Sequence, residues 1–371
     1  MASGKMDKQI QNLLFCVLRF ALWGETSECS ISSEDFSKLM NCAKEQTLIG
    51  LVFEGLLKLK QEDVDIPRKT LLKWLATADK IRKRNIRMNS DLASFVAQCK
   101  DNNIDIVIVK GQTVGCFYPQ PLLRQSGDID FLVKDNYDFV RGKIEKMMGV
   151  TLPGYMLEKE VEFQCNGIIY ELHKTLVRFG SNKNQQYWDN LTDETWADVR
   201  YVNIEGADIP TLPPTINVAY IFIHLYIHLI REGVALRQLC DLAVMLHAHA
   251  DEIERDKLAE ILEKLDMQKA FLAFGAIMVD ELGLPATDFP FEISDDNRKW
   301  KKKLLEDIFR GGNFGKLNHK AKKGWHLKLE TAHFVLRNSF RYYSLAPTET
   351  ILQIKKLVKG NIRIFFHIKN P

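Results

Sequence analysis

A short island of strand-patterned sequence inside an otherwise helical chain sets the narrowest limit on the fold. Ile104–Val109 reads IDIVIV, a β-branched run that ends at Lys110-Gly111, the pattern of a strand running into a turn. Ile129–Val133 is a second such run, preceded by Gly127. Glu160–Cys165 and Ile168–Val177 alternate on either side of Asn166-Gly167, the strongest short hairpin signal. Between these runs, Gln112–Tyr118 reads as a short helix stopped by Pro119 and Pro121, and Asn136–Met148 as a longer one. The central stretch is therefore a small mixed α/β unit.

Both flanks are helical. Leu13, Leu14, Val17, Leu18 and Leu22 recur at helical spacing, and Ser33 with Asp35 predicts the cap of a following helix. Leu51, Phe53, Leu56 and Leu57 continue the pattern. Leu71–Cys99 predicts one long amphipathic helix, with Lys80, Arg82, Lys83, Arg84 and Arg87 as a solvated basic face. Beyond Pro213 the segments Asn217–Ile230, Leu236–Ala248, Ile253–Leu265 and Lys269–Leu282 are helical, and Leu284-Pro285 ends the series. The expected class is α+β and mostly helical. A helical region over 1–100 precedes a small mixed-sheet core over 101–210, and a helical region with a basic end follows over 211–371.

Composition narrows the function. The chain has 371 residues, 46% hydrophobic and 27% charged, which excludes disordered and collagen-like classes. Its net charge of +3 is no argument for a nucleic-acid binder, but it is unevenly spread. Lys316–Pro371 carries twelve Lys or Arg against Glu330 and Glu349, net +10, leaving −7 on the first 315 residues. The seven cysteines form no CxxC pair and suggest reduced, buried residues. The N-terminus lacks a signal-peptide pattern, and charge breaks every apolar stretch short of a membrane span. The expected location is the cytoplasm.

Chemistry concentrates at Gly127-Asp128-Ile129-Asp130. Alternation sets both carboxylates on one face of a strand while Ile129 and Phe131 face the core. Paired carboxylates at a strand edge suit Mg²⁺ or Mn²⁺, ions that bridge nucleotide phosphates. Glu171 and His173 share one face of a neighbouring strand, where Glu171 either joins that site or lies on a wet face. Lys110-Gly111 closes a strand before a helix, a turn that admits phosphate, and Lys110 and Arg124 can add charge there.

Other pairs admit two readings. His224 and His228 stand at i and i+4, a zinc-competent spacing, but without HExxH they fit packed helix histidines better. Arg237 and Asp241 form either an intrahelical ion pair or a carboxylate that aims an arginine at phosphate. Over the basic end, Lys320, Lys322, Lys323, Lys328, Arg337, Arg341, Lys355, Lys356 and Lys359 alternate with Trp325, Phe334, Phe340, Tyr342, Tyr343, Phe365 and Phe366. Such a region is a packed helix with solvated lysines, or a contact for RNA, single-stranded DNA or an anionic membrane.

These residues carry a resemblance. VKG at Val109–Gly111, YPQP at Tyr118–Pro121, RQSGDIDFLV at Arg124–Val133, YELHK at Tyr170–Lys174, His224, His228 and the segment Glu232–Leu246 are similar to the uncharacterised nucleotidyltransferase family of bacteria, a branch of the polymerase-β-like superfamily. The resemblance implies a nucleotidyltransferase core. It also implies a divalent-metal site (Mg²⁺ or Mn²⁺) on Asp128 and Asp130 completed by Glu171, and transfer of a nucleoside monophosphate from a triphosphate to an acceptor. That acceptor can be a small molecule, a protein or RNA. It further implies nucleotide contacts from Lys110, Gly111, Arg124, His173, His224, His228, Arg237 and Asp241. Superfamily members carry Gly-Ser at the first turn, where this chain has Lys110-Gly111-Gln112, so lysine charge stands in for a hydroxyl contact. That departure keeps open a nucleotide-binding or regulatory module on the same fold. A DxD glycosyltransferase would need an α/β region ahead of Asp128, where the chain reads as helical.

Overall fold

In the computed structural model the described residues are 7–25, 29–59, 66–152, 160–312, 325–352 and 354–355. Four helices come first: α1 (Lys8–Trp23), α2 (Ser33–Glu45), α3 (Ile49–Lys58) and α4 (Arg68–Asp101). The cap of α2 is Ser32, not Ser33: the Ser32 hydroxyl accepts the Asp35 N–H at 3.1 Å, which places the first turn one residue earlier.

The central unit follows as β1 (Ile106–Val109), α5 (Gly111–Gly115), a 3-10 turn at Pro121–Leu123, β2 (Asp128–Val133), α6 (Tyr137–Met148), β3 (Glu160–Cys165) and β4 (Ile168–His173). The strands lie in the order β1-β2-β4-β3. β2 runs antiparallel to β1 and parallel to β4, and β3 and β4 form the hairpin that Asn166-Gly167 predicts. The sheet is therefore mixed, as expected. β4 stops at His173 rather than at Val177. Its partners give out there, because Glu160 opposite His173 opens β3 and Leu132 is the last β2 residue paired with it. Backbone groups beyond that point have no ladder to join.

The chain then forms α7 (Asn182–Glu194) and a two-stranded ribbon of β5 (Arg200–Ile204) and β6 (Ala207–Thr211), none of which the sequence patterns predicted. The remaining helices are α8 (Pro214–Arg231), α9 (Leu236–Ala248), α10 (Arg255–Lys264), α11 (Gln268–Asp280), α12 (Asp295–Arg298), α13 (Lys301–Gly311) and α14 (Trp325–Tyr342). Part of the basic end, including Lys320, Lys322, Lys323, Lys356, Lys359, Phe365 and Phe366, lies outside the described residues.

The two faces of the sheet meet different surroundings. Ile106, Ile108, Ile129, Phe131, Val133, Val161, Phe163, Ile168, Tyr170 and Leu172 point one way and pack on Met88, Leu92 and Phe95 of α4 and on Val140 and Ile144 of α6. Phe95 meets Phe131 edge-on at 4.9 Å, and Phe163 stacks on Tyr170 at 5.3 Å. On the other face Val107, Val109 and Leu132 join a larger core shared by α1–α3, α8, α9, α11 and α13. Apolar cover on that second face comes from β1 and Leu132. The polar side chains of β2 and β4 take up the rest, and there the candidate site lies.

Candidate active site

Register decides which side chains meet. Asp130 of β2 pairs with Glu171 of β4, and Leu132 pairs with His173. In a parallel pair, residues in register share a face, so Asp130, Glu171 and His173 converge. Glu160 and Glu162 of β3 lie opposite His173 and Glu171 on that same face.

Asp130 is the hub, 3% exposed. Its Oδ1 accepts from Lys110 Nζ at 2.9 Å and lies 2.8 Å from His173 Nε2. His173 is fully buried, with Nε2 3.7 Å from Glu171 Oε2 and Nδ1 3.4 Å from Glu160 Oε2. Burial alone would raise the Asp130 carboxyl, but Lys110 and His173 together hold it well below the usual carboxylate range. Glu171 goes the other way: burial and the negative charges of Asp130 and Asp128 push it up to about 8. Asp128 is also raised, by burial and by Asp130. Burial would lower Lys110, yet Asp130 holds it well above its ordinary value, so the ammonium stays charged.

Lys110 sits at φ 55° and ψ −145°, a backbone conformation rare for a side-chain-bearing residue, and Gly111 follows at φ 44°. This turn brings the lysine back over the sheet, with Nζ 5.5 Å from the ring of Tyr220 on α8. The basic side of α4 helps to hold the site loops and is not wholly solvated as expected. Arg84 Nη2 donates to the Gly127 carbonyl at 2.8 Å, and Arg87 donates to the Asn166 carbonyl. Lys83 does follow expectation, in an exposed ion pair with Asp79.

Arg124 and Asp241 meet each other. Arg124 Nε and Nη2 donate to the two Asp241 oxygens at 2.7 and 2.8 Å, both groups being buried. Tyr118 donates its hydroxyl to the same carboxylate at 2.7 Å, and Arg237 Nη1 does so at 3.0 Å. The pair Arg237–Asp241 is thus real, but its carboxylate chiefly serves Arg124. Burial would raise Asp241, and Arg124 and Arg237 outweigh it and hold it down. Arg237 Nε is buried without a hydrogen-bond partner among the described residues. On α8, His224 and His228 face one another with Nε2 atoms 3.1 Å apart, and His228 Nδ1 lies 3.4 Å from Glu232 Oε2.

A divalent ion fits this donor set. Among the described residues, Asp130, Glu171 and His173 offer ligand atoms within 4.8 Å of one another. Two donors each about 2.1 Å from one octahedral ion stand about 3.0 Å apart, a spacing that the separations of 2.8 and 3.7 Å from His173 Nε2 bracket. The expected set was Asp128, Asp130 and Glu171. Asp128 opens β2 opposite Ile169 on the same face, two residues before Asp130, and its charge reaches both Asp130 and Glu171, but its oxygens are not among the atoms within 4.8 Å of one another.

Two further neighbours were readable in the sequence. Tyr220, His224 and His228 fall at i, i+4 and i+8 on α8. A two-residue turn at Asn166-Gly167 sets Glu160 opposite His173 by counting back along the hairpin.

Known proteins can now be compared. The model of a family described as uncharacterised nucleotidyltransferase matches residues 32–282. That span holds every site residue named above and stops short of the basic end. Among solved structures, the crystal structure of an antigenic nucleotidyltransferase-like protein from Paracoccidioides brasiliensis aligns at a TM-score of 0.33 with 13% identity, over 53% of this chain and 92% of that one. A likeness so distant carries no argument about the reaction. No curated protein matches.

Proposed function

The chain belongs to the uncharacterised nucleotidyltransferase family, and on that premise we propose that it moves a nucleoside monophosphate from a triphosphate to an acceptor with the help of a divalent cation. The observation that carries this reading is the register of β2 on β4. It sets Asp130 beside Glu171 under a lysine-bearing turn.

Asp130 and Glu171, with Asp128 beside them, would hold the cation, Mg²⁺ or Mn²⁺. When bound, it supplies charge neutralisation for the phosphate oxygens. The chain's own residues do the rest. Lys110 offers a permanently charged ammonium, and Gly111 permits close backbone approach to the triphosphate. Arg237, with its Nε buried and without a partner, offers a second cation. Arg124 and Asp241 brace the loop that leads into Asp128. His173 steadies Asp130, and His224 and His228 flank the nucleotide beside Tyr220. The acceptor oxygen or nitrogen attacks the α-phosphorus and pyrophosphate leaves. The acceptor's proton passes to solvent water, since on this reading the Glu171 carboxylate is taken up with the cation.

The core is assigned to 101–210, with 1–100 and 211–371 as its helical flanks and the basic end as a contact for an anionic acceptor. Among the described residues no helix is long and apolar enough to cross a membrane. None of the seven cysteines is in a disulfide, which suits a reducing cytoplasm.

The test is incubation with each labelled triphosphate and Mg²⁺ or Mn²⁺, with and without cell extract. Transfer of label is expected, and Asp128→Ala and Asp130→Ala are expected to lose metal-nucleotide affinity in calorimetry. Unchanged affinity in both variants would overturn the reading. A second reading, nucleotide binding without transfer, is favoured by Lys110, whose ammonium is engaged by Asp130. Tight triphosphate binding without pyrophosphate release would select it. A DxD glycosyltransferase is not supported: among the described residues before Asp128 there are four α-helices, the single strand β1 and the short α5.

A further inference from the structure

We propose that His173 is itself a metal ligand through Nε2, so that the centre is a mixed nitrogen–oxygen site suited to Mn²⁺ and its neighbours above Mg²⁺. The inference rests on the metal-dependent reading above and adds a donor to it.

Three observations lead there. First, His173 Nε2, Asp130 Oδ1 and Glu171 Oε2 converge on one point from one sheet face, at 2.8 and 3.7 Å from the imidazole nitrogen. The β2–β4 ladder fixes this convergence, because His173 is two residues beyond Glu171 and in register with Leu132, two beyond Asp130. Second, the imidazole is fully buried at the end of β4, with Asp130 and Glu160 oxygens near its two nitrogens, so the ring is not free to swing. Third, the other nitrogen faces an acceptor. Nε2 now contacts Asp130 Oδ1 at 2.8 Å, and for it to ligate an ion the ring proton would have to sit on Nδ1, where Glu160 Oε2 at 3.4 Å is the nearby carboxylate. A carboxylate behind a histidine in front of a metal is the usual way proteins fix the ligating tautomer.

The donor types then select the ion. Magnesium takes oxygen ligands and gives up water reluctantly, whereas imidazole nitrogen suits first-row transition ions, whose affinity for such a site rises along the row from Mn²⁺. Lys110 Nζ, 2.9 Å from the same Asp130 oxygen, is the charge that would give way there to a bound ion and remain near the phosphates.

The full chain, freed of metal by chelation, is titrated with Mn²⁺ and with Mg²⁺ by calorimetry, and the Mn²⁺ form is examined by pulsed electron paramagnetic resonance. Expected are tighter binding of Mn²⁺ than of Mg²⁺ and a directly coordinated ¹⁴N signal. His173→Ala is expected to lose that signal and to lower Mn²⁺ affinity by more than tenfold while changing Mg²⁺ affinity much less. Glu160→Gln leaves all three ligands in place and is expected to weaken Mn²⁺ by roughly 10–100-fold. It keeps the test open if His173→Ala fails to fold. A Mn²⁺ centre with oxygen ligands only, or equal affinity for the two ions, overturns this inference and leaves the proposed function standing. Absence of any divalent binding overturns both.

Discussion

At the scale of single residues, the site is organised by where charge is buried. Arg124 and Asp241 are nearly without exposure, yet their atoms are matched by two parallel hydrogen bonds and by Tyr118 and Arg237. Removing one partner of such a pair strands the other in a low-dielectric interior. Asp241→Asn is therefore expected to lose about 3–5 kcal/mol of stability in denaturant melts. The double variant Arg124→Met/Asp241→Leu should recover only part of that loss, because Tyr118 and Arg237 lose the same carboxylate. Glu171 gives a pH signature. Its folded-state pKa of about 8 lies above the ordinary 4.5, so its stabilising proton is fully present below about 4.5 and lost as pH rises through about 8. Asp128, also raised, adds in the same direction. Asp130 is depressed, so its contribution falls away only in strong acid. The chelator-treated protein is expected to melt at progressively lower temperature between pH 5 and pH 8, and saturating Mn²⁺ or Mg²⁺ should flatten that slope. Calorimetric scans at fixed ionic strength check both halves.

At the scale of elements, close approaches hold the site loop. Gly50 on α3 has room for hydrogen only: a Cβ there would run into the backbone carbonyl of Leu123, one residue before Arg124. Gly50→Ala is expected to cost about 1–3 kcal/mol by overpacking. It should also weaken metal binding, since the 3-10 turn leads straight into Arg124 and Asp128. A variant with unchanged melting temperature and unchanged affinity would refute that account. What the sequence could tell follows the same division by element. The strands of the main sheet were legible because alternation and Asn166-Gly167 are local signals, and so was the shared face of Glu171 and His173. The ribbon of β5 and β6 was not. Its turn is Glu205-Gly206 and Pro210 interrupts β6, so neither the usual turn pair nor a clean run marks it. Arg124 is held by Asp241, 117 residues further on, a pairing no local pattern reports. Which carboxylates stand side by side is likewise set by the β2–β4 register, which puts Asp130 beside Glu171 and which no local pattern reports.

At the scale of the whole molecule, the core ignores the order of the chain. Leu14 and Phe36 from the first helices, Val107 and Leu132 from the sheet, and Phe222, Leu239 and Phe274 from the later helices belong to one buried cluster. The segment 101–210 leaves one sheet face without that cover. Expressed alone, it is expected to lack cooperative unfolding and to bind hydrophobic dye, which circular dichroism and fluorescence would show. A sharp melt of the isolated segment would refute this. The counter-ions of Asp130 carry a different consequence. A metal site absent from the unfolded chain ordinarily ties folding to the supply of metal, as small zinc domains do. Here the positive charge of Lys110 and the ring of His173 already sit on the central oxygen. On the proposed reading the protein would complete its fold without an ion, and the cation would arrive with substrate and not with synthesis.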